Sequence, residues 1–162
     1  MSCNLIFYDT ETTGIHKDFS QIIQCGSIFT DNTLKVIDDQ NIGSKPLPWI
    51  IPQPEAMLTN KKINSFSSNI SHYQMMKDIQ HQWKEWCIDS PSIFVTYNGH
   101  AFDEELIRRQ FWCNLLDPYI TNTKKNGRLD LMLMIHNIAS FFSDEISIPL
   151  FEGGPGFSIK LE

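Results

Sequence analysis

The alternation of apolar and polar positions in the first forty residues predicts three β-strands. The apolar run from Leu5 to Tyr8 is short, aromatic and branched, as in a buried strand, and Thr12-Thr13-Gly14 interrupts it. Apolar residues over 22–29 predict a second strand and those over 33–37 a third, joined by a turn at 31–32. Strands this close in sequence are expected to form an antiparallel meander.

The period changes after a proline-rich stretch at 46–54, which cannot be helical throughout. Apolar residues then recur every three or four positions, so a helix is predicted over 72–88, with Ser71 as its N-cap. A further strand is predicted over 92–97, closed by Asn98-Gly99, and helices over 102–115 and 129–142. Strands alternating with helices in this way predict an α/β domain with a mixed central β-sheet flanked by helices.

Length and composition agree with one globular domain. The 162 residues are 41% hydrophobic and 20% charged. The longest apolar run near the N-terminus is far shorter than the ~20 residues of a membrane span, and residues 1–4 lack the features of a secretory signal, so we expect none. Four scattered cysteines show no metal-ligand spacing, so we expect reduced thiols in the cytoplasm and no membrane association. The net charge of −6 argues against a protein that coats DNA, but not against an enzyme with a local basic track.

The first chemical signal is a pair of carboxylates at the end of the first strand. Asp9 and Glu11 are two residues apart, so on a strand they face the same side. Oxygen ligands of this kind suit hard divalent cations such as Mg²⁺. Roughly two acid-x-acid pairs are expected by chance in this composition. The position of this pair at a strand end is therefore stronger evidence for a metal site than the spacing alone.

The second signal is Asp103, which follows the strand predicted over 92–97. Its position after a second strand end makes it a natural third ligand beside Asp9 and Glu11. A structural explanation is also open, because acids at 103–105 suit the positive end of a helix dipole. On that explanation Glu104 pairs with Arg108, and Glu105 with Arg109, four residues along the helix.

Other residues carry weaker signals. Phe111, Trp112 and Tyr119 could stack on nucleic-acid bases, although Phe111 and Trp112 also suit a core. The five histidines show no ligand spacing, and the common phosphate-loop, dinucleotide and serine-hydrolase motifs are absent from the sequence.

Two motifs together resemble a known superfamily. FYDTETTG (7–14) resembles the first motif, D-x-E-[ST]-x-G, of the DEDD exonucleases, and the segment 97–119 resembles their second motif, N-x-x-x-F-D. Four stretches are similar more narrowly to the bacterial exonuclease I family of single-strand-specific 3′→5′ DNA exonucleases: IPQPEAMLTNKKI (51–63), the FDEELIRRQF segment through DPY, NGRLDLMLM (126–134) and FSIKLE (157–162).

The resemblance implies a ribonuclease H-like exonuclease fold over 1–162. It implies hydrolysis of single-stranded DNA to 5′-mononucleotides in DNA repair or recombination, with two Mg²⁺ ions, or Mn²⁺, clamping the reacting phosphate. It further implies a monomer, with single-stranded DNA-binding protein as a partner.

The resemblance also implies roles for individual residues. Three fall on the family's catalytic, metal-binding acids: Asp9, Glu11 and Asp103. Five fall on positions that meet the nucleic acid: Glu11 and Thr12 at the 3′-terminal nucleotide, Arg108 and Tyr119 along the strand, and Lys160 where the family has an arginine.

Several positions depart from the family pattern. Leu133 stands where relatives often have an acid, and Asn60 replaces a turn glycine. The third motif, H-x-x-x-x-D, which supplies a general-base histidine and a fourth acid, does not occur in the sequence, and His100 does not match it. We expect the family's SH3-like and helical domains to lie outside these 162 residues. We therefore expect a C-terminally incomplete exonuclease domain with little or no activity alone.

Three alternatives stay open at this point. The chain could be another DEDD exonuclease that degrades RNA or proofreads a polymerase. It could be a non-catalytic nucleic-acid-binding fragment. It could also be a glycosidase with a carboxylate pair, which would be insensitive to EDTA.

Overall fold

A five-stranded mixed sheet forms the centre of the computed structural model, which describes residues 3–60 and 67–142. The strands are β1 (Asn4–Thr12), β2 (Ile22–Thr30), β3 (Val36–Gly43), β4 (Ser92–Thr96) and β5 (Gly127–Asp130). Their order in the sheet is β3-β2-β1-β4-β5. β2 pairs antiparallel with both β1 and β3, whereas β4 is parallel to β1 and to β5. The predicted mixed sheet and antiparallel meander are confirmed.

The third strand begins later than the sequence predicts. Residues 33–35 belong to a turn around Asp31, whose carboxylate accepts the backbone N–H groups of Thr33 and Lys35 at 2.8 and 3.0 Å. Leu34 adopts a left-handed conformation with φ 65°. The prediction of a strand over 33–37 is therefore wrong in position, because a local side-chain turn satisfies the backbone there.

Within residues 3–60 and 67–142, four helices lie around the sheet. They are α1 (Pro54–Asn60), α2 (His72–Trp86), α3 (Asp103–Cys113) and α4 (Leu131–Phe141), with a short 3₁₀ turn at Ile120–Asn122. Ser71 caps α2 as predicted, accepting the N–H of Gln74 at 3.1 Å. α1 begins at a proline, which suits a first helical position. None of the helices in the described part is long and apolar enough to cross a membrane.

The last predicted helix begins too early. Residues 127–130 form β5, whose pairing with β4 satisfies their backbone groups, and α4 starts only at Leu131. The apolar pattern over 129–142 does not separate a buried strand end from a helix, so tertiary pairing decides the boundary.

Helices α2 and α3 cover one face of the sheet, which we call the covered face. The indole of Trp83 lies at its centre, in contact with the rings of Tyr8, Phe94 and Phe111 at centroid distances of 5.0–6.1 Å. The core residues are Ile6, Tyr8, Ile22, Cys25, Phe29, Met75, Met76, Ile79, Trp83, Trp86, Phe94, Leu106, Ile107, Phe111 and Ile120. Burial of these side chains supplies most of the stabilisation of the described part.

The opposite face, which we call the open face, is less covered. Phe7 and Asp9 project to it, and Ile28, the cross-strand partner of Phe7, is 44% exposed. A cavity of about 900 Å³ lies on this face, bordered by β1–β4 and the first turn of α4. In α4 no residue is fully buried. The open face thus offers space next to the end of β1.

Candidate metal and nucleic-acid site

The end of β1 divides its side chains between the two faces. Tyr8 and Thr10 are buried on the covered face, whereas Asp9 is exposed and Glu11 half-buried on the open face. Asp9 pairs across the sheet with Gly26, where an added Cβ would meet open space, and it lines the cavity. The predicted alternation therefore places both carboxylates on the open face, where Asp9 borders the cavity.

Asp103 reaches β1 from the first position of α3. Its carboxylate accepts a hydrogen bond from the hydroxyl of Thr10, and the residue is only 8% exposed. Burial and the negative charge of nearby Asp9 raise the pKa of Asp103 from 3.8 to about 6, although the hydrogen bond from Thr10 opposes the shift. Asp103 is thus close enough to Asp9 for their charges to interact.

The three predicted acids do not form a closed ligand group. Asp103 is bound to Thr10 on the covered face, whereas Asp9 and Glu11 project to the open face. Over residues 3–60 and 67–142, no group of three or more histidine, cysteine, aspartate or glutamate side chains is placed to hold a metal ion. The assignment of these acids as metal ligands stays a prediction.

A tight loop between β4 and α3 sets the position of Asp103. Asn98 has a left-handed φ of 57°, which asparagine tolerates. A Cβ on Gly99 would lie 2.7 Å from the Cβ of Thr96 and 3.0 Å from Oδ2 of Asp103. The carbonyl of Gly99 accepts the N–H of Glu104 at 2.9 Å. Glycine is therefore required because a side chain here would clash with Thr96 and press on the Asp103 carboxylate.

Asp130 holds this loop from β5, a role that the sequence analysis missed. Its carboxylate accepts the N–H groups of Asn98 and His100 at 3.0 Å each, and those of Met132 and Leu133 at 3.0 and 3.3 Å. Burial opposes ionisation, but the N–H donors outweigh it and lower the pKa of Asp130. An acid before an apolar run is a helix N-cap signal, so only the cap was detectable in sequence.

Glu104, next to Asp103, belongs to a buried polar cluster. Its carboxylate accepts the Tyr8 hydroxyl at 2.7 Å and the Thr121 hydroxyl at 2.6 Å, and it pairs with Arg128 at 3.2 Å. Burial, reinforced by Glu104, raises the pKa of Tyr8 well above its usual value. The cluster joins β1, the 3₁₀ turn and β5 to the start of α3.

The helical ion pairs considered for α3 are therefore wrong. Glu104 pairs with Arg128 rather than with Arg108. Glu105 pairs with Lys17, and Arg109 with Asp18 at 2.9 Å. Contacts with other segments displace the local pairs because the first turn of α3 packs against β1 and the loop that follows it.

Arg108 and Tyr119 lie together on the far side of α3. The guanidinium of Arg108 sits 5.0 Å from the centroid of the Tyr119 ring, a cation–π contact. Both line a groove together with Trp112. Phe111 is fully buried, whereas Trp112 is 66% exposed, so only the second is free to meet a ligand.

Thr12 and Lys160 complete the predicted site residues. Thr12 is buried, and its hydroxyl donates to the carbonyl of Gly14 at 2.8 Å. Asn60 donates to the Thr12 carbonyl at 2.9 Å, so this position has a structural use in the turn after β1. Lys160 lies outside the described residues, and its role stays a prediction.

Comparisons with known proteins point to one kind of enzyme. No protein-family model matches the chain. Exodeoxyribonuclease I of Buchnera aphidicola from Schizaphis graminum is 27% identical over 97% of this chain and 33% of its own length. The protein from the Acyrthosiphon pisum strain is 30% identical over 82% of this chain and 32% of its own length. The Escherichia coli protein is 26% identical over 96% of this chain and 33% of its own length.

Solved structures give the same result. A product-bound exonuclease I superposes with a TM-score of 0.84 at 24% identity, over 98% of this chain and 37% of that one. E. coli exonuclease I in complex with a dA13 oligonucleotide gives a TM-score of 0.82 at 25% identity, over 96% of this chain and 34% of that one. The ribonuclease H-like fold and the resemblance to exonuclease I are confirmed. The chain spans about a third of the length of these relatives.

Proposed function

We propose that this chain is the exonuclease domain of a single-strand-specific 3′→5′ exodeoxyribonuclease that releases 5′-mononucleotides in DNA repair or recombination. The main observation in support of this proposal is the similarity to exodeoxyribonuclease I over 97% of the chain. Asp9, Glu11 and Asp103 fall on the family's acidic positions, and Asp9 lines the cavity beside the end of β1. The proposal extends to a cytoplasmic monomer.

The donor chemistry fits a hard divalent cation. Carboxylate oxygens are the ligands that Mg²⁺ and Mn²⁺ prefer, and one solved relative is a zinc-bound E. coli exonuclease I–single-stranded DNA complex. Asp9 and Glu11 would hold the metal, with Asp103 beside them and two ions per site. When bound, such ions neutralise charge on the reacting phosphodiester.

The protein's own groups then bind and orient the strand. Arg108 lies on the helix that begins at Asp103, and the Tyr119 ring packs against its guanidinium. Its positive charge is available to a backbone phosphate of the DNA. Thr10 and the buried cluster around Glu104 hold the first turn of α3 against β1. A strand held by Arg108 and Tyr119 would therefore contact the helix whose first residue is Asp103.

The proposed partners follow from the same relatives. Solved structures include E. coli exonuclease I with a dT13 oligonucleotide and an exonuclease I complex with the C-terminal peptide of single-stranded DNA-binding protein. We therefore include single-stranded DNA and a single-stranded DNA-binding protein as partners of the protein that carries this domain.

The test is metal-dependent binding of single-stranded DNA by the 162-residue chain. Carboxylates repel phosphate unless a cation lies between them, so Mg²⁺ should tighten binding of a labelled oligo-dT, and EDTA should reverse the effect. Asp9→Asn should remove most of the Mg²⁺ dependence. Glu85→Gln, an exposed acid on α2, removes the same charge elsewhere and should leave it intact.

Two outcomes would change the proposal. Equal binding with Mg²⁺ and EDTA, for the unmodified chain and for Asp9→Asn alike, would contradict it. Tighter binding of single-stranded RNA than of DNA would favour an RNA-degrading DEDD enzyme. Hydrolysis is a second measurement, expected to be slow because the sequence contains no H-x-x-x-x-D motif.

A second candidate is a non-catalytic single-strand-binding domain. The observation that favours it is the lack of a closed metal-ligand group among the described residues. This candidate predicts binding of the oligonucleotide that Mg²⁺ does not change, together with full sensitivity to Arg108→Ala.

A further inference from the structure

One large aromatic side chain on α3 is exposed to solvent beside the residues proposed to bind single-stranded DNA. Trp112 is 66% exposed, whereas Trp83 and Trp86 on α2 are 0% and 7% exposed. Tryptophan is among the side chains with the largest apolar area, so an indole kept at the surface indicates a contact surface when other ligand-binding groups lie beside it.

The groups beside Trp112 are suited to nucleic acid. The residue lies four positions after Arg108, so both project from the same side of α3. They line one groove of about 380 Å³, together with Arg109, Glu105, Pro118 and Tyr119. Two exposed aromatic rings and two guanidinium groups therefore share one concave surface.

The charges of this groove leave one cation uncompensated. Arg109 pairs with Asp18, and Glu105 pairs with Lys17. Within the described part of the chain Arg108 makes no ion pair, and its Nε is buried without a hydrogen-bond partner. On a protein of net charge −6, this local positive charge favours an anionic ligand.

We propose that Trp112 is a base-stacking contact for single-stranded DNA, adjacent to the phosphate contact of Arg108. The inference rests on the proposed function and adds a residue to its substrate path. A flat ring stacks on any base and Arg108 attracts the neighbouring phosphate, so the pair would hold the strand without reading its sequence. A polyanion without bases would use Arg108 and not Trp112.

The experiment compares two labelled probes, an oligo-dT and an abasic strand of the same length, by fluorescence anisotropy. Trp112→Ala should weaken binding of oligo-dT about tenfold, from the usual value of one base–aromatic stack, and should not change binding of the abasic strand. Trp112→Phe should restore most of the affinity, and Trp112→Leu should not. The salt dependence should stay unchanged, because no charge is removed.

Tyr73→Ala is the matched control, because Tyr73 is a half-exposed aromatic residue on α2. It should leave both affinities unchanged, and thermal unfolding should show that all variants are folded. Unchanged binding of oligo-dT by Trp112→Ala, with a clear loss for Arg108→Ala, would overturn this inference and leave the proposed function standing. Full affinity of Trp112→Leu would also overturn it, in favour of a merely apolar contact. No binding by the unmodified chain would overturn both.

Discussion

The two faces of the central sheet differ in how far their polar groups are buried. On the covered face, Tyr8 and Thr10 donate to Glu104 and Asp103 and lie under two helices. On the open face, one residue along the same strand, Asp9 is exposed at a cavity of about 900 Å³. Adjacent residues of one strand thus serve opposite purposes.

The difference separates stability from chemistry. On the covered face the buried groups of Tyr8 and Thr10 are paired with Glu104 and Asp103. Removing one member of such a pair leaves the other without its partner in a low-dielectric interior. The acids of the open face lie next to room for a ligand, so their substitution should change binding more than folding. Asp103 combines the two situations. It accepts a hydrogen bond from Thr10 on the covered face, and the negative charge of Asp9 contributes to raising its pKa.

The largest expected effect concerns the covered face. Glu104→Ala leaves the hydroxyls of Tyr8 and Thr121 and the guanidinium of Arg128 without their shared acceptor. We expect the free energy of unfolding to fall by about 3–5 kcal/mol, measured by urea denaturation. Glu105→Ala is the matched control, since this neighbouring acid is exposed and its pair with Lys17 is worth about 0–1 kcal/mol. Similar losses for the two variants would contradict the contrast between the faces.

The next effect is a pH dependence that belongs to Asp103. The folded protein binds a proton at this carboxyl more tightly than the unfolded chain does, because its pKa rises from 3.8 to about 6. Its contribution to stability is therefore greatest below about pH 4 and declines as pH rises to about 6, by on the order of 3 kcal/mol. Asp103→Asn should be more stable than the unmodified chain above pH 6.

The measurement is the difference in unfolding free energy between the two proteins from pH 4 to pH 7, so that the other acids cancel. Glu105→Gln should show no comparable difference. Mg²⁺ should recover part of the lost stability only in the protein that keeps Asp103. Parallel pH profiles for Asp103→Asn and the unmodified chain would show that this carboxyl titrates normally.

A smaller effect is expected at Asp130, which connects the faces through the β4–α3 loop. Asp130→Ala removes a helix cap and two loop hydrogen bonds, so we expect a loss of about 1–2 kcal/mol and faster amide exchange at Asn98 and His100. Asp130→Asn keeps an acceptor and should lose less. Asp31→Ala removes a comparable side-chain turn at the surface, and an equal loss there would refute a special role for Asp130.

The smallest expected effect is electrostatic. Arg108→Ala should lower the slope of log affinity against log salt for oligo-dT by about one, with a modest loss of affinity. Arg109→Ala should change the slope less, because Arg109 is held by Asp18 and the Lys17 carbonyl. If the two variants give the same slope, Arg108 is not a distinct phosphate contact.

Much of the candidate site was predictable because its signals are local. The Asp-x-Glu spacing places Asp9 and Glu11 on one side of a strand whatever surrounds it. Asp103 begins α3 as predicted, and Arg108 follows a little more than one turn later. The sequence left open whether Trp112 is buried in the core or exposed, because helical spacing does not say which side of α3 faces solvent.

The sequence by itself determined the α/β class, the covered helix α2, the strand-end position of the acids and the resemblance to exonuclease I, which rest on short-range periodicity and motif spacing. Only the tertiary structure decided that Glu104 is buried against Tyr8 and Arg128, that Asp103 binds Thr10, and that Asp130 clamps the loop before α3. These contacts join residues from 24 to 96 positions apart. They depend on how strands pair and helices pack, and no local pattern encodes that.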